Sequence, residues 1–562
     1  MAEAQSATRI LTHHFFRRFF DSDTVQVEGE TLTTVIRAIA IVTAPGLICA
    51  FFLQNQYPGR SAWGAIEDQY FFVLVSFLVM GAVSIFEWEM LFPDRPDFLI
   101  LTPLPLKPLQ IFAAKAAALI GFLAIFLVSC NLFGALILPA ITRHAVVVRG
   151  HVMFVGAFWR QLYAHGCAVG LAGLFAALLF LALGGVLLCL LGAAGFRLLS
   201  PVVQTVSMAA IVLLMLQYFR YGDSLQSWLA EPLGLVRWVP PLWFLGVYEQ
   251  LLHGAAAPPF AREMARYAML ATLASAAVVL LTYPLAWARM RRMAIEGSSR
   301  SRRRPSQWWP SLIHRVLRRP AERAVFHFIG QTIARNNRYQ VYLAMYCGSG
   351  LALAIACAVV FRTDGHRLQP ALSQEGLHAV MPLLLFWVVA GLRAAFAFPT
   401  DLAAGWIFRV TAVSVRECAA AGRRWVLMCA WAVMCCILAV LRLAGWDLRH
   451  LLVQLACGLC LCTLLTDGFL GFDNGVPFNH PRMPGTKSLP LMLTLYVGVL
   501  PPALFGIIRL QMHYETDPLQ LLPLALGVVA LHLGLARLRT GPEEVEEEME
   551  GYEGEFQILG LS

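Results

Sequence analysis

Runs of some twenty apolar residues, separated by short polar or basic stretches, recur along the chain from about residue 33 to residue 537. An α-helix rises about 1.5 Å per residue, so roughly twenty such residues cross the ~30 Å hydrocarbon core of a bilayer. That criterion predicts spans near 33–53, 69–90, 111–140, 166–192, 203–219, 266–288, 340–361, 378–398, 425–443, 450–472, 489–509 and 518–537, about twelve helices. The first 32 residues are polar or amphipathic, and the apolar run after them is too long for the h-region of a signal peptide, so no cleavable secretion signal is expected.

Composition agrees with the pattern. Hydrophobic residues make up 59% of the chain and charged residues 14%, with a mean hydropathy of +0.66, whereas soluble domains carry about a quarter charged residues. A soluble globular enzyme is excluded, and the expected fold is an all-α polytopic integral membrane protein. The net charge of +9 does not point to nucleic acid, because the basic residues sit in short segments between apolar runs. Most of the thirteen cysteines, among them Cys435, Cys436, Cys457, Cys460 and Cys462, lie inside apolar segments and are expected to pack as small hydrophobes. Cys457 and Cys460 have CxxC spacing, but a metal site needs about four ligands and no second pair lies nearby, so no metal or cofactor is expected.

Cytoplasmic segments retain Lys and Arg during insertion. With both termini inside, the inner segments hold Arg9, Arg17 and Arg18, then Arg95 and Lys107, Arg197, the run from Arg289 to Arg338, Arg409, Arg416, Arg423 and Arg424, Arg482 and Lys487, and Arg537 and Arg539. That is roughly twice the number left for the outer loops, so a multi-pass protein of the cell (inner or plasma) membrane with both ends cytoplasmic is expected. The longest outer loop, about 220–265, contains Trp228, Trp238, Pro240, Pro241, Trp243 and Phe244 and is expected to form a short helix at the headgroup level.

The basic stretch GSSRSRRRPSQ divides the chain into two groups of six spans. The expected organisation is a cytoplasmic N-terminus with an amphipathic helix (1–32), a first six-span half (33–288), a basic linker with a second amphipathic helix (289–339), a second half (340–537) and an acidic tail (538–562). The two leading helices are TRILTHHFFRRFF, where Phe15, Phe16, Phe19 and Phe20 can bury in the membrane interface while Arg17 and Arg18 meet anionic headgroups, and AVFHFIGQTIARNNRYQ, with Phe326, Phe328, Ile329 and Ile333. The second span of each half is followed by a cytoplasmic segment too apolar for a plain loop, LFPDRPDFLILTPLPLKPLQ at 91–110 and FPTDLAAGWIFRVTAVSVRE at 398–417. Such patches either receive a partner or fold back on the bundle.

Taken together, PDRPDFLILTPLPLKPLQIFAAK between spans two and three, a following helix near Lys115, VPPLWF at 239–244 before span six, and the leading amphipathic helix resemble the permease subunit of type-2 ABC exporters. The likeness covers most of residues 8–290 and is weaker over 320–537, where the last outer loop, about 510–517, is too short for a Pro-Pro-x-Trp-Phe element. The resemblance implies an exporter permease with two six-span halves in one chain, lying in the lipid bilayer and moving an unidentified substrate. ATP would be hydrolysed by a separate cytoplasmic ABC ATPase, expected as a dimer. The residues expected to meet that ATPase are Asp94, Asp97, Leu101 and Leu104 in the first segment and Asp401, Trp406, Phe408 and Arg409 in the second.

Candidate chemistry within the chain is sparse. No G-x-x-x-x-G-K-[ST] loop is present; PGTKS at 484–488 lacks the first glycine, and Lys487 reads as an inner-loop charge. Glu87, Glu89, Asp94 and Asp97 form an acidic cluster at the expected cytoplasmic edge, compatible with a metal or acid–base pair, or with salt bridges to Arg95 or a partner. His13, His14 and His532, the last standing alone in its span, are expected to be structural. The chain is therefore expected not to be an enzyme. The alternative is a secondary transporter of major-facilitator type, driven by an ion gradient, which also has six plus six spans. It is disfavoured because such carriers place ionisable groups near the midplane, whereas here Arg37, Lys115, Arg393, Arg442, Asp467 and Asp473 lie near span ends.

Overall fold

A computed structural model describes residues 2–20, 31–57, 60–88, 100–101, 103–142, 144–148, 151–155, 158–222, 225–230, 236–296, 317, 319–364, 367–396, 414–471, 477–478 and 489–539. In chain order its main elements are α1 (Ala2–Phe20), α2 (Thr31–Gln54), α3 (Ala62–Phe86), α4 (Pro108–Ile141), β1 (His144–Val148), β2 (His151–Val155), α5 (Phe158–Tyr221), α6 (Leu225–Ala230), α7 (Pro240–His253), α8 (Pro259–Glu296), α9 (Pro320–Arg335), α10 (Asn337–Ala358), β3 (Val359–Asp364), β4 (Arg367–Leu372), α11 (Gln374–Phe396), α12 (Val415–Leu443), α13 (Leu448–Leu470), α14 (Leu489–Thr516) and α15 (Leu521–Leu538). Ten helices among the described residues are long and apolar enough to cross a membrane. The chain is an all-α multi-pass membrane protein.

Ten of the twelve expected spans correspond to these helices, with instructive differences at the ends; the stretches 33–53 and 489–509 lie in α2 and α14, which are not among the ten. The second span begins at Ala62, not 69, because Asp68 and Gln69 are buried within the helix that Ser61 caps by accepting the Gly64 N–H at 3.0 Å. A hydropathy window discards polar residues that the fold later pairs. The fourth and fifth spans follow one another within α5, where Gly192, at φ 67°, interrupts the helix in a conformation that glycine takes without steric cost. Two short antiparallel hairpins were not expected. β1 pairs with β2 in the loop after α4, and β3 with β4 after α10, where Val359, Val360 and Phe361 leave the predicted seventh span as a strand. The first hairpin is rich in β-branched residues, with five valines in ten strand positions, while the second has them in β3 alone; in both, two residues join the strands, a length that suits a tight hairpin.

The chain forms two compact units. The first comprises Met1–Ile313, Gln331–Val380 and Met483–Thr486; the second comprises His314–Gly330, Met381–Arg482 and Lys487–Ser562. In the first unit α3 packs along α4 and α5 by small and polar contacts. The Ser76 hydroxyl donates to the Val169 carbonyl at 2.7 Å and accepts from Asn131 Nδ2 at 2.9 Å. The leading helix α1 seats on α4: Leu11, Phe15 and Phe19 are buried, Phe19 stacks on Phe122 at 4.8 Å, and Lys115 Nζ lies 5.5 Å from the Phe15 ring centroid. Only part of its apolar face therefore remains for lipid, with Ile10 exposed. α10 follows the later part of α5, close enough that a Cβ on Gly348 would stand 2.7 Å from the Thr205 carbonyl oxygen.

In the second unit the first turns of α9 hold α12 through an Arg424–Glu322 ion pair and an Arg319–Glu417 pair at 3.5 Å. Phe478 joins Phe328 and Phe396 in one aromatic contact group, with centroids 6.2 and 5.3 Å away. Thus α1 packs along α4, while the start of α9 and the residue before it are tied to α12 by ion pairs.

Candidate functional site

The segment PPLWFLGVYEQLLH forms α7 with two prolines in its first turn, where a missing N–H costs nothing. Its apolar residues do not follow one face. Pro241, Leu242, Phe244, Leu245, Gly246, Val247, Tyr248 and Glu249 are all buried, the pattern of a helix enclosed on every side and not one lying on a surface. Phe244 meets Phe175 at 5.4 Å, while Tyr248 meets His165 at 5.6 Å. Those partners are ten residues apart on α5, about 15 Å along a helix, so α7 runs antiparallel to α5 and is inserted among the spans. The sequence expectation of a short helix in this loop holds, and its faces are covered by protein. Gly246 permits the insertion, because α8 backbone at Ala261 and Ala265 occupies the space a side chain would need.

A polar layer surrounds the His253 end of α7. Asp68, buried on α3, accepts from Arg60 Nε at 3.0 Å and Nη2 at 2.7 Å and from the Tyr57 hydroxyl at 3.1 Å. Burial first, then the Asp68 charge and hydrogen bond, push the Tyr57 phenol up, so it stays neutral and donates. On α7 itself, the Glu249 carboxyl is 1% exposed; one oxygen is 3.6 Å from His253 Nε2 and the other has no hydrogen-bond partner. Burial pushes its pKa up to about 7. Burial and then Arg160 push that of His253 down, so at neutral pH the imidazole supplies no compensating cation. His165 is fully buried, with neither ring nitrogen hydrogen-bonded among the described residues. Buried polar groups are usually hydrogen-bonded, so the second Glu249 oxygen and the His165 ring nitrogens stand out among the described residues.

The Glu249 shift gives a stability prediction. The seated pKa lies above the ordinary 4.5, so the protonated acid favours the seated helix. That contribution is complete below pH 4.5 and is lost as pH rises through about 7. Relative to Glu249→Gln, the wild-type protein should lose about 2–3 kcal/mol between pH 4.5 and pH 8, read from thermal unfolding in detergent. Parallel pH profiles for the two proteins would mean that the carboxyl is solvated.

The second unit carries another buried charge cluster. Asp467, near the end of α13, accepts through Oδ1 from both terminal nitrogens of Arg539, at 3.0 and 3.1 Å, and its Oδ2 lies 2.6 Å from His532 Nδ1. Arg423 on α12 lies within electrostatic range of Asp467 and Arg539. His532, alone in its own span, thus finds its partner on another helix, in keeping with the structural role expected for it. Sequence separations of 65 and 72 residues concealed the partners, although α13 and α15, two spans apart, run in the same direction and bring their ends to one level.

Of the residues expected to meet an ATPase, Leu101 and Leu104 are described. They lie in the turn before α4, Leu101 packed against the first unit's core and Leu104 exposed, with the Leu104 N–H donating to the Leu101 carbonyl at 3.3 Å. Asp94, Asp97, Asp401, Trp406, Phe408 and Arg409 lie outside the described residues, as do Glu89 and Lys487. Glu87, from the expected acidic cluster, is buried at the end of α3 beside fully buried Trp88. Cys457 and Cys460 carry free thiols. No family model, curated protein or solved structure matches this chain.

Proposed function

We propose that the chain is the membrane-spanning permease subunit of an ATP-driven exporter, with ATP hydrolysed by a separate cytoplasmic ATPase. The observation that carries this reading is α7, a helix inserted among the spans between the fifth and sixth crossings, where the resemblance implies such an element. An amphipathic helix ahead of each group of spans, α1 packed on α4 and α9 tied to α12 by an ion pair, supports two related halves in one chain. In this reading the ATPase engages residues 91–110 and 398–417. Nucleotide-driven approach of its two subunits moves those segments, and spans two, three, eight and nine shift the bundle between two states. The largely apolar spans suit an amphipathic or lipid-like substrate.

Replacing Trp406 and Phe408 together with alanine should release most of the ATPase after detergent extraction, because large apolar side chains dominate buried interfaces. Unchanged association would remove the second segment from the docking surface. The buried ionisable groups Asp68, Glu249 and Asp467 favour a second reading, an ion-gradient carrier. Purified alone in liposomes, an exporter permease is idle, whereas solute flux driven by an ion gradient without any ATPase would establish the carrier.

A further inference from the structure

We propose that the Asp467 end of the second unit binds the phosphate headgroup of an anionic phospholipid, with Arg423 as its principal contact. Two guanidinium groups, those of Arg539 and Arg423, gather there around one carboxylate, with Arg424 beside Arg423. Both terminal nitrogens of Arg539 take one Asp467 oxygen and His532 Nδ1 lies 2.6 Å from the other, so three of the carboxylate's roughly four in-plane acceptor sites are already engaged. Arg424 is engaged by Glu322, and Arg393 lies over the Phe469 ring at 5.5 Å. Arg423 is half-buried and close to Asp467, Arg539 and Arg424, yet it makes no hydrogen bond among the described residues.

A half-buried guanidinium beside two other cations and short of an acceptor calls for an anion. Its planar fork of donors suits phosphate oxygens. The source follows from position. The Lys/Arg bias assigns this end of the spans to the cytoplasm, where anionic lipids concentrate and basic pockets between spans hold their headgroups. The adjoining α15 exposes Leu526, Val529, Leu533 and Leu538 along its length, a surface for acyl chains leading to the cluster.

The full chain, stripped of lipid in neutral detergent, is offered phosphatidylglycerol, phosphatidylcholine or inorganic phosphate, with retention read by native mass spectrometry and stability by thermal unfolding. Phosphatidylglycerol should be retained and should raise the unfolding midpoint by several degrees, while phosphatidylcholine and phosphate should do neither. Arg423→Gln should lower phosphatidylglycerol retention about tenfold. Arg449→Gln, an exposed arginine at the opposite end of α13, should leave it unchanged. Equal retention by Arg423→Gln and the wild type, or equal losses in the two variants, would overturn the proposal. Stabilisation by inorganic phosphate alone would assign the site to a free anion and overturn the lipid source. Should Arg423→Gln not fold, the wild-type comparison still decides: no preference for phosphatidylglycerol over phosphatidylcholine removes the site.

Discussion

Asp467→Asn should destabilise the second unit by about 3–5 kcal/mol, the cost of leaving buried cations without their counter-charge. Asparagine keeps the size of the side chain but offers one acceptor oxygen where the native residue serves both Arg539 nitrogens and His532. Arg539 is 15% exposed and Asp467 6%, so water cannot replace the lost interaction fully. The change is read as a fall in the thermal unfolding midpoint in detergent. Replacing Asp467 and Arg539 together by leucine should recover part of the loss, since no unpaired charge from that pair then remains. A fall of less than about 1 kcal/mol in the single variant would show an exposed type of pair, screened by solvent.

Gly246→Val should be comparably damaging in the first unit, at about 3 kcal/mol, because overpacking against backbone cannot be relieved by rotamer changes. A Cβ at this position would stand 2.5 Å from Met264 Cβ, 2.8 Å from the Ala261 carbonyl oxygen and 2.9 Å from the Ala265 nitrogen. Accommodating valine means moving α7 away from α8 and loosening Phe244 and Leu245, both fully buried. Hydrogen exchange over residues 240–253 should rise sharply in the variant. Gly166→Ala is the matched control, since nothing lies within 4 Å of a Cβ added there. Equal behaviour of the two variants would mean that α7 is not held against α8.

The span pattern was readable because hydrophobic length is a local property, counted residue by residue along the chain. The leading amphipathic helices were readable for the same reason: Phe15, Phe19, Phe326 and Ile329 recur at helical spacing and are buried. Burial of α7 had a signal beyond the aromatic and proline content of its loop. Apolar residues at 242–245, 247 and 248 surround the helix, so no face remains polar enough to lie at an interface. The extra two turns or so at the start of α3 had no comparable signal, because Asp68 counts against a span until Arg60 and Tyr57 are known to bond it.

The sequence by itself determined that this is a polytopic helical membrane protein and where about twelve apolar stretches lie, because the cost of placing polar backbone and charge in hydrocarbon acts on each stretch separately. Only the tertiary structure decided which spans touch, that α7 enters the bundle, and that Asp467, His532 and Arg539 meet. Those outcomes depend on shape complementarity and charge pairing between residues far apart in the chain, and no local periodicity encodes a partner 65 or 72 positions away.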